Sequence, residues 1–240
     1  MNGKWIARIV VAGGLLGLAG CAYQAGDESN PLARRATWFS FVAGDDLRAA
    51  CHAGAPDRFR IVYNGVWAEQ VRIYEVGVAG PRQLDQRVLE PMRADELSLS
   101  DPLKPWRGQA KSLTLSDAEY AALLRDLEQS GAYQSPNETL TLAAVDFYWV
   151  VASCHEGAFH LSAWRYPSLG FAQASFATWL GAIDTTGIPF NRPRSRADVA
   201  LSAGGTGSPY GVTTAPRQIP LAGSWSIGIA QDRVVDKVEF

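Results

Sequence analysis

The run Val145-Asp146-Phe147-Tyr148-Trp149-Val150-Val151 constrains the rest of the chain most strongly. Side chains alternate between the two faces of a strand, so a strand with one wet face alternates apolar and polar residues. From Phe147 to Val151 both alternating sets are apolar, and such a strand needs cover on both faces. Residues 139–155 are therefore the expected central strand of a sheet, and the segments around them must supply its neighbours and its covering layers.

The neighbours are readable. Arg58-Phe59-Arg60-Ile61-Val62-Tyr63 is rich in β-branched and aromatic residues and lies between Pro56 and Asn64-Gly65, which predicts a strand followed by a turn. In Gln70 to Val76, apolar Val71, Ile73 and Val76 stand against Arg72 and Glu75, the pattern of a half-buried hairpin partner. A third strand is expected around Leu84 to Leu89. Residues 91–111, with Pro91, Pro102, Pro105 and Gly108, read as a long loop. Beyond the central strand, Glu156-Gly157 turns the chain into another strand, Phe159 to Tyr166. Ser224 to Ile229 and Val234 to Phe240 form a closing hairpin, free on sequence grounds to join the main sheet or to stand apart.

Two helices are expected to pack on this sheet. In 117–129, Ser116 and Glu119 form a capping box, Tyr120, Leu123, Leu124 and Leu127 make an apolar stripe, and Gly131 stops the helix. The second opens at Pro167-Ser168 and presents Leu169, Ala172, Phe176, Trp179, Leu180 and Ile183, ending at Gly187 and Pro189. Asp45 to Cys51 reads as a short helical turn, and 191–218 as loop. Strands followed by a helix, twice over, give an α+β fold: an antiparallel β-sheet with two packing α-helices and a C-terminal β-hairpin. The segments are 1–20 as a leader, 21–36 as a tether with few large apolar residues, 37–190 as the α+β domain, and 191–240 as loop and hairpin.

The leader has Lys4 and Arg8 in front, the apolar run Ile9 to Leu18 behind them, and small residues before Cys21. That is the organisation of an export signal, and the run is shorter than the roughly 20 residues of a membrane span. The ending Leu18-Ala19-Gly20-Cys21 resembles the lipobox of bacterial lipoproteins. The resemblance implies cleavage before Cys21 by signal peptidase II, a thioether-linked diacylglycerol and an N-acyl chain on Cys21, and a membrane held through that lipid. Ala22, where inner-membrane lipoproteins carry aspartate, implies the outer membrane with the domain facing the periplasm.

Export into an oxidising compartment predicts a disulfide between the two remaining cysteines, Cys51 and Cys154. The other reading is two buried thiols packed as small hydrophobes. Loss of Lys4 and Arg8 takes the net charge from −2 to −4, and neither value provides the basic footprint of a nucleic-acid partner.

Cys51-His52-Ala53-Gly54-Ala55 recurs as Cys154-His155-Glu156-Gly157-Ala158, four residues of five in common. A bridge between the cysteines would bring His52, His155 and Glu156 together as candidate ligands of a divalent metal. Neighbours on a strand face opposite ways, so the alternative is that these are polar residues at loop edges. His155 and His160 are spaced i, i+5, not the i, i+4 of helical zinc proteases, and there is no Gly-x-Ser-x-Gly elbow, no Ser-x-x-Lys and no phosphate loop. Of the tryptophans, Trp149, Trp164 and Trp179 lie in apolar patterns and read as core. Trp67, beside a turn, and Trp106, in a loop, are the candidates for an exposed binding surface. The expected function is that of a non-enzymatic binding or scaffolding module without a cofactor, its partner an envelope protein or cell-wall component. The alternative is an envelope hydrolase or metal-dependent enzyme using His52, His155 and Glu156.

Overall fold

The computed structural model describes residues 31–91, 107–135, 138–204 and 225–239. The chain begins with helices α1 (Pro31–Ala43) and α2 (Asp45–Ala50), then strands β1 (Arg58–Gly65), β2 (Val71–Val76), β3 (Gln83–Leu89) and β4 (Gln109–Thr114). Helix α3 (Asp117–Gln129) follows, then β5 (Leu140–Ala143), β6 (Phe147–His155) and β7 (Ala158–Arg165). Helices α4 (Leu169–Gln173), α5 (Ser175–Ile183) and α6 (Arg196–Gly204) lead to the hairpin β8 (Trp225–Ala230) and β9 (Arg233–Glu239). The fold is α+β. One antiparallel sheet of six strands has the order β4-β3-β2-β1-β6-β7, and a second of three has the order β5-β8-β9.

The six-stranded sheet separates two cores. Phe59, Ile61 and Tyr63 of β1 and Phe147, Trp149 and Val151 of β6 face one side, where Leu123 and Leu127 of α3 and Phe176 and Leu180 of α5 cover them. Val62 of β1 and Tyr148, Val150 and Ala152 of β6 face the other. Trp38, Phe41 and Val42 of α1, Leu47 of α2, and Leu142, Trp225, Ile227 and Ile229 of the small sheet cover that side. The doubly apolar run thus has the two layers its composition requires. Among the described residues no helix is long and apolar enough to cross a membrane.

Several elements depart from expectation for identifiable reasons. The stretch 139–155 is two strands in two sheets. Asp146 accepts the Ala143 N–H at 3.0 Å and turns the chain between β5 and β6. Asn64-Gly65 is not a turn but the end of β1, where the Asn64 amide donates to the carbonyls of Ala144 and Asp146 at 3.1 and 2.6 Å. Strand β2 is not half-buried, since Arg72 is buried along with its apolar neighbours. Residues 109–111, expected in a loop, belong to β4, a polar and mostly exposed edge strand with no apolar period to betray it. The second helix breaks at Ala174 into α4 and α5, because the Ser175 N–H is drawn to Ser130 Oγ at 3.0 Å. Helix α1 starts inside the stretch read as tether, with Pro31 at its first position. Helix α6 lies within the stretch read as loop, Ser195 accepting from the Asp198 N–H at 3.2 Å. The hairpin β8–β9 joins β5, not the main sheet.

Candidate functional site

One end of β6 carries the paired Cys-His segments. Cys51 and Cys154 are joined in a disulfide with their Cα atoms 5.5 Å apart. The two histidines beside the bridge have different hydrogen-bond partners. His52 Nδ1 lies 3.0 Å from the Ala53 carbonyl, whereas His155 Nδ1 lies 2.8 Å from Asp57 Oδ2. Glu156 contributes its backbone N–H to Asp57 Oδ1 at 2.9 Å and forms the β6–β7 turn at φ 50°. The candidate ligands His52, His155 and Glu156 thus make separate contacts, the first to the Ala53 carbonyl and the other two to Asp57. Among the described residues no three His, Cys, Asp or Glu side chains group as metal ligands. The repeated Gly-Ala has separate uses: Gly157, at φ 76°, sits where a Cβ would come within 2.8 Å of the Ala53 Cα and the His52 carbonyl oxygen.

What forms instead is an imidazole oriented by a carboxylate. His155 stacks on Tyr133 with ring centroids 4.4 Å apart, and His160 lies 5.7 Å from the same ring. Burial, the Asp57 charge and a hydrogen bond to Asp57 push the Tyr120 hydroxyl up to about 12. Among the described residues the hydrogen-bond partner of the His155 ring is Asp57.

The aromatic candidates divide. Trp67 is half-buried and packs against the second core, its ring centroid 4.7 Å from Trp38 and 5.7 Å from Trp225. Trp106, the 205–218 segment and Cys21 lie outside the described residues.

The other end of β6, about 26 Å away at 3.3 Å per residue, holds a cavity of about 200 Å³. Three stretches distant in sequence build it: Val145-Asp146-Phe147 where β6 begins, Arg165-Tyr166-Pro167 where β7 ends, and Arg194-Ser195-Arg196 where α6 begins. Local structure fixes each. Tyr166 N–H donates to the Phe147 carbonyl at 2.9 Å, prolonging the β6–β7 ladder past Arg165. Arg165 Nη1 donates to the Thr141 carbonyl at 2.6 Å. Arg194 binds both oxygens of Glu69 at 2.5 and 2.7 Å, and its guanidinium carbon lies 5.4 Å from the Phe147 ring centroid. Arg196 grips Asp146 through Nε and Nη2 at 2.6 and 2.8 Å, and those bonds raise its pKa.

Three guanidiniums thus stand against two carboxylates, Asp146 and Glu69, and Arg165 has no carboxylate partner among the described residues. An arginine fork matches the paired oxygens of a carboxylate or phosphate. The cavity is suited to hold an anion. Next to it, Tyr166, Pro167, Ser168, Phe171 and Ala172 line a wider, more open apolar groove of about 500 Å³ along α4.

Sequence reading passed over this place. Arg192-Pro193-Arg194 marks a basic loop, but its meeting with Arg165 depends on the return of the chain across α4 and α5. No family model matches the chain, nor does any curated protein or solved structure, so the reading of this cavity rests on its own residues.

Proposed function

We propose that this chain is a ligand-binding module held at the envelope membrane by lipid on Cys21, with the domain facing the periplasm. The cavity at the start of β6 receives an anionic group of the ligand. The observation that carries this reading is the convergence of Arg165, Arg194 and Arg196 on one cavity from two separate stretches of the chain. The lipobox Leu18-Ala19-Gly20-Cys21 supports the anchor, and the oxidised Cys51–Cys154 pair is consistent with an oxidising compartment. An envelope hydrolase remains the second reading on the strength of the Asp57–His155 pair, which has the geometry of an oriented general base.

Titration of the protein with inorganic phosphate, followed by calorimetry, tests the cavity. Saturable binding at roughly millimolar affinity is expected, weakened about tenfold by Arg165→Ala, the loss of one charge-assisted contact. Binding that is absent, or indifferent to Arg165→Ala, refutes the reading. The intact mass of the chain purified from membranes tests the anchor: it should begin at Cys21 and carry acyl chains.

A further inference from the structure

The basic cavity and the apolar groove both include Tyr166 and Pro167, so they lie side by side. Resting on the anion-binding reading above, we propose that the ligand is a single-chain anionic lipid. Its head lies among Arg165, Arg194 and Arg196, and its hydrocarbon tail lies in the groove along α4.

The lining decides for a hydrocarbon and against a peptide. Pro167 has no N–H to donate. The Phe171 N–H is spent on Ser168 Oγ at 3.1 Å and the Ala172 N–H on the Ser168 carbonyl at 3.2 Å. Those groups leave little for a peptide backbone, whose own polar groups need partners when covered. A hydrocarbon needs none. The rim agrees: of the three large apolar side chains that stand exposed among the described residues, Val145 (46%) lines the cavity and Leu169 (72%) follows Ser168. The third, Val235, is on β9. Apolar side chains left in water beside an arginine cluster complement a molecule with a charged end and an oily end.

The test is a chain-length series. The full chain carrying Cys21→Ser, which removes the lipid-bearing thiol, is titrated by calorimetry with inorganic phosphate and with butyl, hexyl, octyl and decyl phosphate below their micellar thresholds. Affinity should rise about two- to fourfold per added methylene until the groove is full, the gain expected of partly to fully buried CH₂ groups. Ala172→Glu should flatten the series, Arg165→Ala should weaken every member by a similar factor, and decyltrimethylammonium, with the same tail and the opposite charge, should not bind. Equal affinity for inorganic phosphate and all the alkyl phosphates overturns the lipid while leaving the anion site standing. Failure of every phosphate to bind removes both. A short peptide ending in an apolar residue with a free carboxylate, if it binds more tightly than decyl phosphate, overturns the lipid in favour of a protein terminus.

Discussion

Arg60 and Arg72 retain 1% and 0% of their surface, as little as the leucines and valines of the core. A buried guanidinium is costly unless its donors are used, and both are heavily used. Arg60 makes a two-pronged pair with Asp46 at 2.7 and 2.9 Å, donates Nε to Glu75 at 2.8 Å, and lies 3.9 Å over the Phe41 ring. Arg72 meets Asp184 at 2.7 Å, Gln70 at 2.9 Å and the Ile188 carbonyl, and lies 3.9 Å over the Phe190 ring. One arginine therefore ties α1 and α2 to the sheet, and the other ties down the strap after α5. Asp184→Asn should cost about 3–5 kcal/mol at neutral pH, because it strands the Arg72 charge. Burial raises the Asp184 pKa, but bonds from Thr186 and Tyr74 and the charge of Arg72 outweigh it, so the carboxyl titrates below its ordinary value. Its contribution is fully present above the unfolded pKa of about 4 and is lost as pH falls through the lower folded value. Urea midpoints of the two proteins should therefore draw together between pH 7 and pH 3. A gap that does not change with pH refutes this account.

At the scale of elements, legibility follows locality. Helix α3 was readable to the residue because its capping box and stripe lie within one window. Ser116 Oγ accepts from the Glu119 N–H, and Glu119 Oε2 accepts from the Ser116 N–H at 2.8 Å. Those bonds to Ser116 hold the Glu119 carboxyl below its ordinary value. Ser116→Ala should cost about 1 kcal/mol in denaturant unfolding, with Ser116→Thr recovering most of it. Strand β4 and helix α6 were unreadable for the opposite reason: one is a polar edge and the other a short helix with a weak stripe. Arg72 reads as a solvent-facing residue in an alternating strand until Asp184, 112 residues later, turns it inward. The arginine cavity fails the same way, since its three stretches converge only after two helices have folded between them.

At the scale of the molecule, the disulfide spans 103 residues and joins the segment after α2 to the end of β6. Constraining so long a loop in the unfolded chain is worth about 4–5 kcal/mol, against a total stability of about 5–15 kcal/mol. The Cys51→Ala/Cys154→Ala protein should lose about that much in guanidinium unfolding, and added reductant should then have no further effect on it. The layered plan has another consequence, drawn from the small sheet. Strands β8 and β9 lie far along the chain from β5, yet they supply Trp225, Ile227 and Ile229 to a core begun by Trp38 and Phe41. As the polypeptide emerges vectorially, from a ribosome or through a translocation pore, that core stays open until the hairpin arrives. The face of the sheet that will hold Tyr148 and Val150 is meanwhile a sticky, unfinished surface.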